Sequence, residues 1–400
     1  MRDALSRAAA GLGDGPLTEA SLSQHVFPLF SKVLRSNGVY LANHSLGRPL
    51  DQTPADIAEG VALWPARLGD AWDGWLAERE AHRARIASLI GGPRADCVIP
   101  KTSAGQGLRA VLNALPGTPR VVATRDEFDS IDVILRRYAQ LGRIQAAWVA
   151  PRENDGYETG DLLKAIDEGA DLVVVSHVLF TTGQILPVEE IAAACRRQGA
   201  RLLVDAYHSA GAMPVDAAGL GIDFLIGGCY KYLRGGPGAC FLYVSPSNLE
   251  GQLQPIDIGW FAKQEPFRYE RPDPPALAAG GDAFLESTPP VLTYYQARAG
   301  QRFALQMGTA RLREYSFDRL NRLKQHLAGE GVNSYGGDAG HGAFLTVRNA
   351  DATTLASRLA ERGIIADARG DRLRMAPDCL TRDDELRRAA RTLGQLLRGN

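Results

Sequence analysis

A lysine, an aspartate and a histidine carry the chemistry that this chain announces. Asp205 ends the apolar run RLLVD, His208 follows in DAYHSAGA, and Lys231 comes 26 residues after Asp205 (231 − 205) in GGCYKYLRGGPG. A lysine flanked by Tyr230 and Tyr232 and followed by glycines is not an ordinary solvated surface lysine. Together the three suit pyridoxal phosphate (PLP). The amine forms a Schiff base with the cofactor, the carboxylate pairs with the pyridinium nitrogen, and the imidazole lies against the ring. Asp205 has to stay ionised to keep that nitrogen protonated, and the pyridinium in turn favours the ionised carboxylate. The cofactor's phosphate needs a seat as well. Thr102 and Ser103, in IPKTSAGQGLRAVL, stand where a helix begins, so hydroxyls and free backbone N–H groups meet there. Taken singly, these residues have plainer readings: Asp205 and Ser103 as helix caps, Lys231 as an exposed cation. The combination in one α/β unit favours the cofactor.

The elements that must hold these side chains can be read around them. RVVAT (120–124), QAAWV (145–149), DLVVVS (171–176), RLLVD (201–205), DFLIG (223–227) and ACFLYV (239–244) are short apolar runs rich in β-branched residues. Helix-like segments such as GQGLRAVLNAL and PVEEIAAACRRQG lie between several of them. Near-continuous apolar strands separated by helices predict a largely parallel sheet covered on both faces. Ligands of such sheets bind beyond the carboxyl ends of the strands, where Asp205 stands. After about residue 300 the rhythm changes. A long helix over roughly 293–330 leads into AFLTV, TTLASRLAERG, IIADA and RLRMA, and RDDELRRAARTLGQLL closes the chain at helical spacing. The expected organisation is an N-terminal arm (1–45), a large PLP-binding α/β domain (46–290), and a long helix with a small α+β domain (291–400). The Pro/Gly-rich stretch 251–290 reads as an active-site segment rather than a flexible linker.

Composition narrows the function classes. The chain has 400 residues, 45% hydrophobic and 23% charged, with 45 Lys+Arg against 46 Asp+Glu. That apolar fraction is too high for a disordered chain, and a net charge of −1 lacks the basic excess of a nucleic-acid binder. No apolar run reaches the ~18 residues that span a bilayer, and the N-terminus lacks the apolar stretch of a signal peptide. A cytoplasmic location is expected. The five cysteines are dispersed without a CxxC pair, and the seven histidines show no HxxxH or HExxH spacing, so no metal site is predicted. Neither a P-loop nor a strand followed by GxGxxG is present, which removes the nucleotide readings.

With these residues in hand, the chain resembles kynureninase, in the class V aminotransferase group of fold-type I PLP enzymes. Seven segments carry the resemblance in order: YLANHSLGRP (40–49), SHVLFTTGQ (176–184), DAYHSAGA (205–212), GIDFLIGGCYKYLRGGPG (221–238), GWF (259–261), STPP (287–290) and DARGDRLRMAP (367–377). The closing KYLxxGPG is the most specific piece. The resemblance implies that Lys231 holds PLP as the internal aldimine, that Asp205 pairs with the ring nitrogen, and that Phe128 stacks on the ring. Thr102, Ser103 and Tyr230 would serve the phosphate end, and Ser176 and His208 match further positions at the cofactor. Trp260 and Thr288 match positions that reach the cofactor from the neighbouring subunit, which implies a homodimer. Arg374 matches the arginine that grips the substrate's α-carboxylate, a task suited to a planar bidentate donor.

The departures concentrate on the substrate side. The family's asparagine in GNSLG is His44, which is expected to line the substrate site. Its F-P-[ST]-D is Phe128-Asp129-Ser130-Ile131, leaving Asp129 or Asp132 to stand in for the acid. A tryptophan is replaced by Gly227, and GWFGH has become GWFAK. None of these changes touches Lys231 or Asp205. The expected activity is hydrolysis of the Cβ–Cγ bond of L-kynurenine or 3-hydroxykynurenine to L-alanine and anthranilate or its 3-hydroxy form, as in tryptophan catabolism. Transamination, or C–S or C–N lyase chemistry on another amino acid, is the alternative. A desulfurase would need a nucleophilic cysteine on a mobile loop, and Cys379 is the only one near a matched substrate motif.

Overall fold

The computed structural model describes residues 3–35, 38–153, 155–251 and 253–399. In chain order its strands are β1 (Val39–Tyr40), β2 (Val98–Lys101), β3 (Arg120–Thr124), β4 (Gln145–Val149), β5 (Leu172–Ser176), β6 (Arg201–Asp205), β7 (Phe224–Gly228), β8 (Cys240–Val244), β9 (Leu345–Arg348), β10 (Ile364–Ile365), β11 (Asp367–Arg369) and β12 (Arg372–Met375). Strands β2 to β8 form one sheet in the order β2-β8-β7-β6-β5-β3-β4. All run the same way except β8, which is antiparallel to both of its neighbours. The reason is local. A parallel return needs a crossover of a dozen or more residues, and the short stretch 229–239 between β7 and β8 has no helix to make one.

Both faces of this sheet are buried, and the alternation along each strand sorts its side chains between two cores. Val173, Val175, Leu202, Val204 and Leu225 face one way, against Leu162, Ile166, Ile191 and Ile86. Leu172, Val174, Leu203, Phe224 and Ile226 face the other, against Leu108, Val111, Ile131 and Leu135. Each fully buried Leu, Ile or Val contributes roughly 1.5–3 kcal/mol. Two-sided burial is why these strands read as unbroken apolar runs rather than alternating ones. The carboxyl ends of β3, β5, β6 and β7 therefore share one rim, which carries Thr124, Ser176, Asp205 and the turn after Gly228.

The C-terminal part has its own three-stranded sheet, ordered β11-β12-β9, and packs Leu320, Leu323, Leu355, Leu359, Leu386 and Leu393 onto it. The chain's beginning is stitched to this unit, because β1 pairs in parallel with β10 and Val39 and Leu41 join its core. The single long helix expected over 293–330 is instead two helices, Leu292–Met307 and Thr309–Gly329. Gly308 breaks it, at φ +79°, with its N–H capping the Ala304 carbonyl at 3.0 Å. Ion pairs from Asp155 to Arg348 and Arg372 link the small unit to the large one.

Candidate active site

Lys231 sits on the tight turn that follows β7. The Gly235 N–H donates to the Cys229 carbonyl at 2.6 Å, and Gly236 takes φ +67°, a conformation that suits glycine. The SLG stretch of the N-terminal motif closes over this turn. The Gly47 N–H donates to the Tyr230 carbonyl at 2.8 Å, and a Cβ at Gly47 would lie 1.9 Å from the Lys231 carbonyl oxygen. The lysine is 6% exposed, with Nζ 2.7 Å from His208 Nε2. Nζ also lies 5.5 Å from the Phe128 and Tyr207 ring centres and 5.8 Å from that of Tyr230. Burial pushes the amine down to about 7, opposed by Asp205 and assisted by Arg374. His208 is held neutral by burial and by the Lys231 charge. When charged, Nζ can only donate, and Nε2 then accepts with the ring proton on Nδ1.

Asp205 ends β6 and does not cap a helix: its Oδ1 accepts the Tyr207 N–H at 2.8 Å. Burial pushes this carboxyl up to about 6, with the Tyr207 N–H and Lys231 pulling it down. Ser176 stands beside it as its register partner on β5. Sequence reasoning missed Glu127, which is 2% exposed. Its carboxylate accepts the Ser176 Oγ–H at 2.6 Å, the Ser176 N–H at 3.0 Å and the Thr124 Oγ1–H at 2.5 Å. Of the acids expected to stand in after Phe128, Asp129 is exposed and Asp132 pairs at 2.8 Å with Arg136 on the helix surface.

At the other end, a cavity of about 190 Å³ is lined by Thr102, Ser103, Phe128, Ser130, Tyr207 and Tyr230, among others. Ser103 caps the helix Ala104–Ala114 through the Gln106 N–H at 3.1 Å, and the helix N-terminus opens into the same place. The Thr102 N–H and hydroxyl both meet Gln106 Oε1, at 2.7 and 3.2 Å. Gln106 in turn donates to Glu286 at 2.9 Å, which also takes the buried Lys101 Nζ at 2.8 Å. Tyr230 keeps its proton, because burial pushes the phenol up.

Arg374 comes from the C-terminal three-stranded sheet. It lies on β12, the middle strand of its sheet, and is 2% exposed, so it is no surface arginine. Its Nη1 donates to the Phe180 carbonyl at 2.5 Å and its Nη2 to Asp367 Oδ1 at 2.9 Å. Asp367 also takes Arg369 at 3.0 Å and the Ser45 hydroxyl. His44 is fully buried, stacks on Phe344 at 5.1 Å between ring centres, and lies 3.9 Å from Asp367. The site thus gathers residues from the N-terminal segment, the rim of the large sheet and the C-terminal three-stranded sheet.

Trp260 and Thr288 sit together on the irregular segment, with Trp260 Nε1 donating to Thr288 Oγ1 at 3.3 Å. Trp260 packs into a cluster with Phe261, Phe267 and Tyr269. Cys379 is buried with its Sγ 3.5 Å from Arg234, and burial pushes the thiol up to about 11. That is the opposite of an activated nucleophile on a mobile loop. Among the described residues, no group of three His, Cys, Asp or Glu could hold a metal ion, and no helix is long and apolar enough to cross a membrane.

The pocket fits PLP on its own chemistry. It offers a buried amine, a buried carboxylate and hydroxyls at a helix N-terminus. Arg374 Nε, His208 Nδ1 and both ring nitrogens of His44 are buried polar atoms without a partner, which a bound ligand can satisfy. Fold and site define a PLP-dependent enzyme of fold type I. The chain belongs to the aminotransferase class-V family, whose profile matches residues 75–377. It is 28% identical over 349 residues to a kynureninase of Deinococcus radiodurans, covering 83% of this chain and 82% of that one. A kynureninase of Pseudomonas fluorescens is 29% identical over 354 residues, covering 84% and 83%. An uncharacterised aminotransferase of Bacillus subtilis, YcbU, is 28% identical over 354 residues, covering 86% and 90%. Among solved structures, the cystine C–S lyase C-DES superposes with a TM-score of 0.83 at 21% identity over 91% of this chain and 99% of that one. The cysteine desulfurase of Thermococcus onnurineus NA1 does so at 0.82 and 19%, over 92% and 96%. The chain is a kynureninase-like class V PLP enzyme.

Proposed function

We propose that this enzyme hydrolyses the Cβ–Cγ bond of L-kynurenine or 3-hydroxykynurenine, giving L-alanine and anthranilate or 3-hydroxyanthranilate. What supports the reading is a buried Lys231 on the sheet rim and a buried Arg374 whose charge acts on it, in a chain 28–29% identical to kynureninases over 83–84% of its length. PLP bound at this site supplies an electron sink for the carbon skeleton of an amino acid.

The residues divide the work by position. Lys231 would hold the cofactor through its amine, and Nζ is the group that would take the proton from the substrate's Cα. An amine held near 7 is half neutral at that pH, which matches a general base to its task. Asp205 would pair with the ring nitrogen, Phe128 and His208 would lie against the ring, and Ser176 would stand at the cofactor beside Asp205. Thr102, Ser103 and Tyr230 hold the phosphate. Arg374, its fork fixed by Asp367 and Phe180, offers its remaining N–H groups to the α-carboxylate, with His44 beside it. Water adds to the γ-carbonyl, with Tyr230, which retains its proton, as the proton relay for that step, and a proton returned to Cβ releases alanine. Trp260 and Thr288 complete the site of a second subunit in a homodimer. A second reading keeps PLP and changes the reaction to transamination of another amino acid. It draws on the equal similarity to YcbU and on the substitution at His44.

The test is direct. The purified protein should be yellow, and borohydride should fix the cofactor on the peptide that contains Lys231. Kynurenine should then give fluorescent anthranilate. A yellow protein that leaves both kynurenines untouched overturns the hydrolase reading and keeps the cofactor.

A further inference from the structure

We propose that Glu127 is a positioning residue of the cofactor site. It fixes the Ser176 hydroxyl and the Phe128 ring. This inference rests on the cofactor site at Lys231 and not on the identity of the substrate.

Three features of the structure support it. The first is the bonding. One buried carboxylate takes Thr124 at the end of β3 and both the N–H and the Oγ–H of Ser176 at the end of β5. It therefore staples the segment after β3 down onto the rim where the cofactor's residues stand. The second is adjacency. Phe128 follows Glu127 directly, and its ring centre lies 5.5 Å from Lys231 Nζ, so fixing Glu127 fixes the approach of that ring. The third is polarity. Burial pushes Glu127 up to about 7, against the pull of the Ser176 and Thr124 hydroxyls. In its ionised form it accepts the Ser176 proton, so the serine, which is the register partner of Asp205, then presents only lone pairs to any other neighbour. Of the other acids in this stretch, Asp126 accepts the Tyr157 hydroxyl at 2.9 Å, Asp129 is exposed and Asp132 pairs with Arg136.

The experiment uses the holoenzyme and three variants, Glu127→Gln, Ser176→Ala and the double variant. A glutamine keeps the shape but donates where the carboxylate accepted, so it turns the Ser176 hydroxyl around. The readouts are the PLP dissociation constant and the pH midpoint of the bound cofactor's visible absorbance. The loss of one such bond should weaken PLP binding roughly five- to tenfold in Glu127→Gln and move the midpoint, with thermal stability close to wild type. In the Ser176→Ala background the same change should have much less effect, since its route to the cofactor is gone. Wild-type affinity and midpoint in Glu127→Gln overturn the proposal. So does an effect of undiminished size in the double variant, which would show that Glu127 does not act through Ser176. Should Glu127→Gln fail to fold, Ser176→Ala alone decides: a wild-type midpoint and affinity there overturn it.

Discussion

Replacing Arg374 with lysine keeps the charge and removes the fork, which isolates what the fork is for. In the structure the guanidinium is held from two sides, by the Phe180 carbonyl at 2.5 Å and by Asp367 at 2.9 Å, while Nε stays buried without a partner. A lysine has a single nitrogen. It cannot span the carbonyl, the Asp367 carboxylate and a substrate carboxylate at the spacing of a planar fork. A hydrogen bond to a charged group contributes about 1.5–3 kcal/mol, and each 1.36 kcal/mol is tenfold in rate. Losing one such bond therefore lowers kcat/KM for kynurenine roughly 10- to 160-fold, carried mainly by KM if the carboxylate contact is made before and during the reaction. Arg374→Met, which also strips Asp367 of a partner, should cost more than Arg374→Lys. The assay is steady-state anthranilate fluorescence, with cofactor absorbance as the control that the site is otherwise intact. If Arg374→Lys retains PLP and its KM and kcat/KM stay within about twofold of wild type, the assignment of the substrate carboxylate to Arg374 is refuted.

Three further expectations can be checked with simple means. Only the neutral amine of Lys231 adds to an aldehyde, and burial brings that amine from its ordinary 10.5 to about 7. Capture of PLP by the cofactor-free protein should therefore speed up through neutral pH and level off above it; a rate still climbing near pH 10 contradicts the burial argument. Gly47→Ala would put a methyl 1.9 Å from the Lys231 carbonyl oxygen, so it should cost about 1–3 kcal/mol in a urea melt and loosen PLP, and an unchanged melt would show that the contact is not tight. Cys379→Ala should leave turnover within about twofold, because a buried thiol with its pKa near 11 is mostly protonated at neutral pH. Loss of activity with PLP still bound would restore a sulfur-transfer role.

Much of the site was legible because its residues sit where strand patterns end. Asp205 and Ser176 close apolar runs that the structure reproduces as β6 and β5, and Lys231 stands in a glycine-rich turn with its own signature. Arg374 was legible only through a motif: as a pattern, RLRM reads as a half-exposed strand, and its burial comes from lying between β11 and β9. Glu127 was not legible. In TRDEFDSID it is one acid among four, and nothing in the spacing separates the buried one from its solvated neighbours. The one available signal was its place just after a buried strand, at the binding edge of the sheet. The helices Thr53–Arg67 and Ala71–Leu89 escaped for a related reason. The second of them buries Glu78, Arg79, His82 and Arg83, so it shows no apolar stripe at helical spacing. Strand β2 carries Pro100, which argues against a strand, yet it pairs antiparallel with β8 at the edge of the sheet, where a proline is tolerated.

The central claim is that water cleaves the side chain of kynurenine at this site. The measurement that tests it most directly is turnover of L-kynurenine by the PLP-loaded enzyme in ¹⁸O-labelled water, with the products resolved by mass spectrometry. Addition of water to the γ-carbonyl predicts L-alanine and anthranilate in equal amounts, with one labelled oxygen in the new carboxylate of anthranilate. A keto acid that keeps the whole carbon skeleton, or no consumption of kynurenine or its 3-hydroxy form by an enzyme carrying PLP on Lys231, would contradict it.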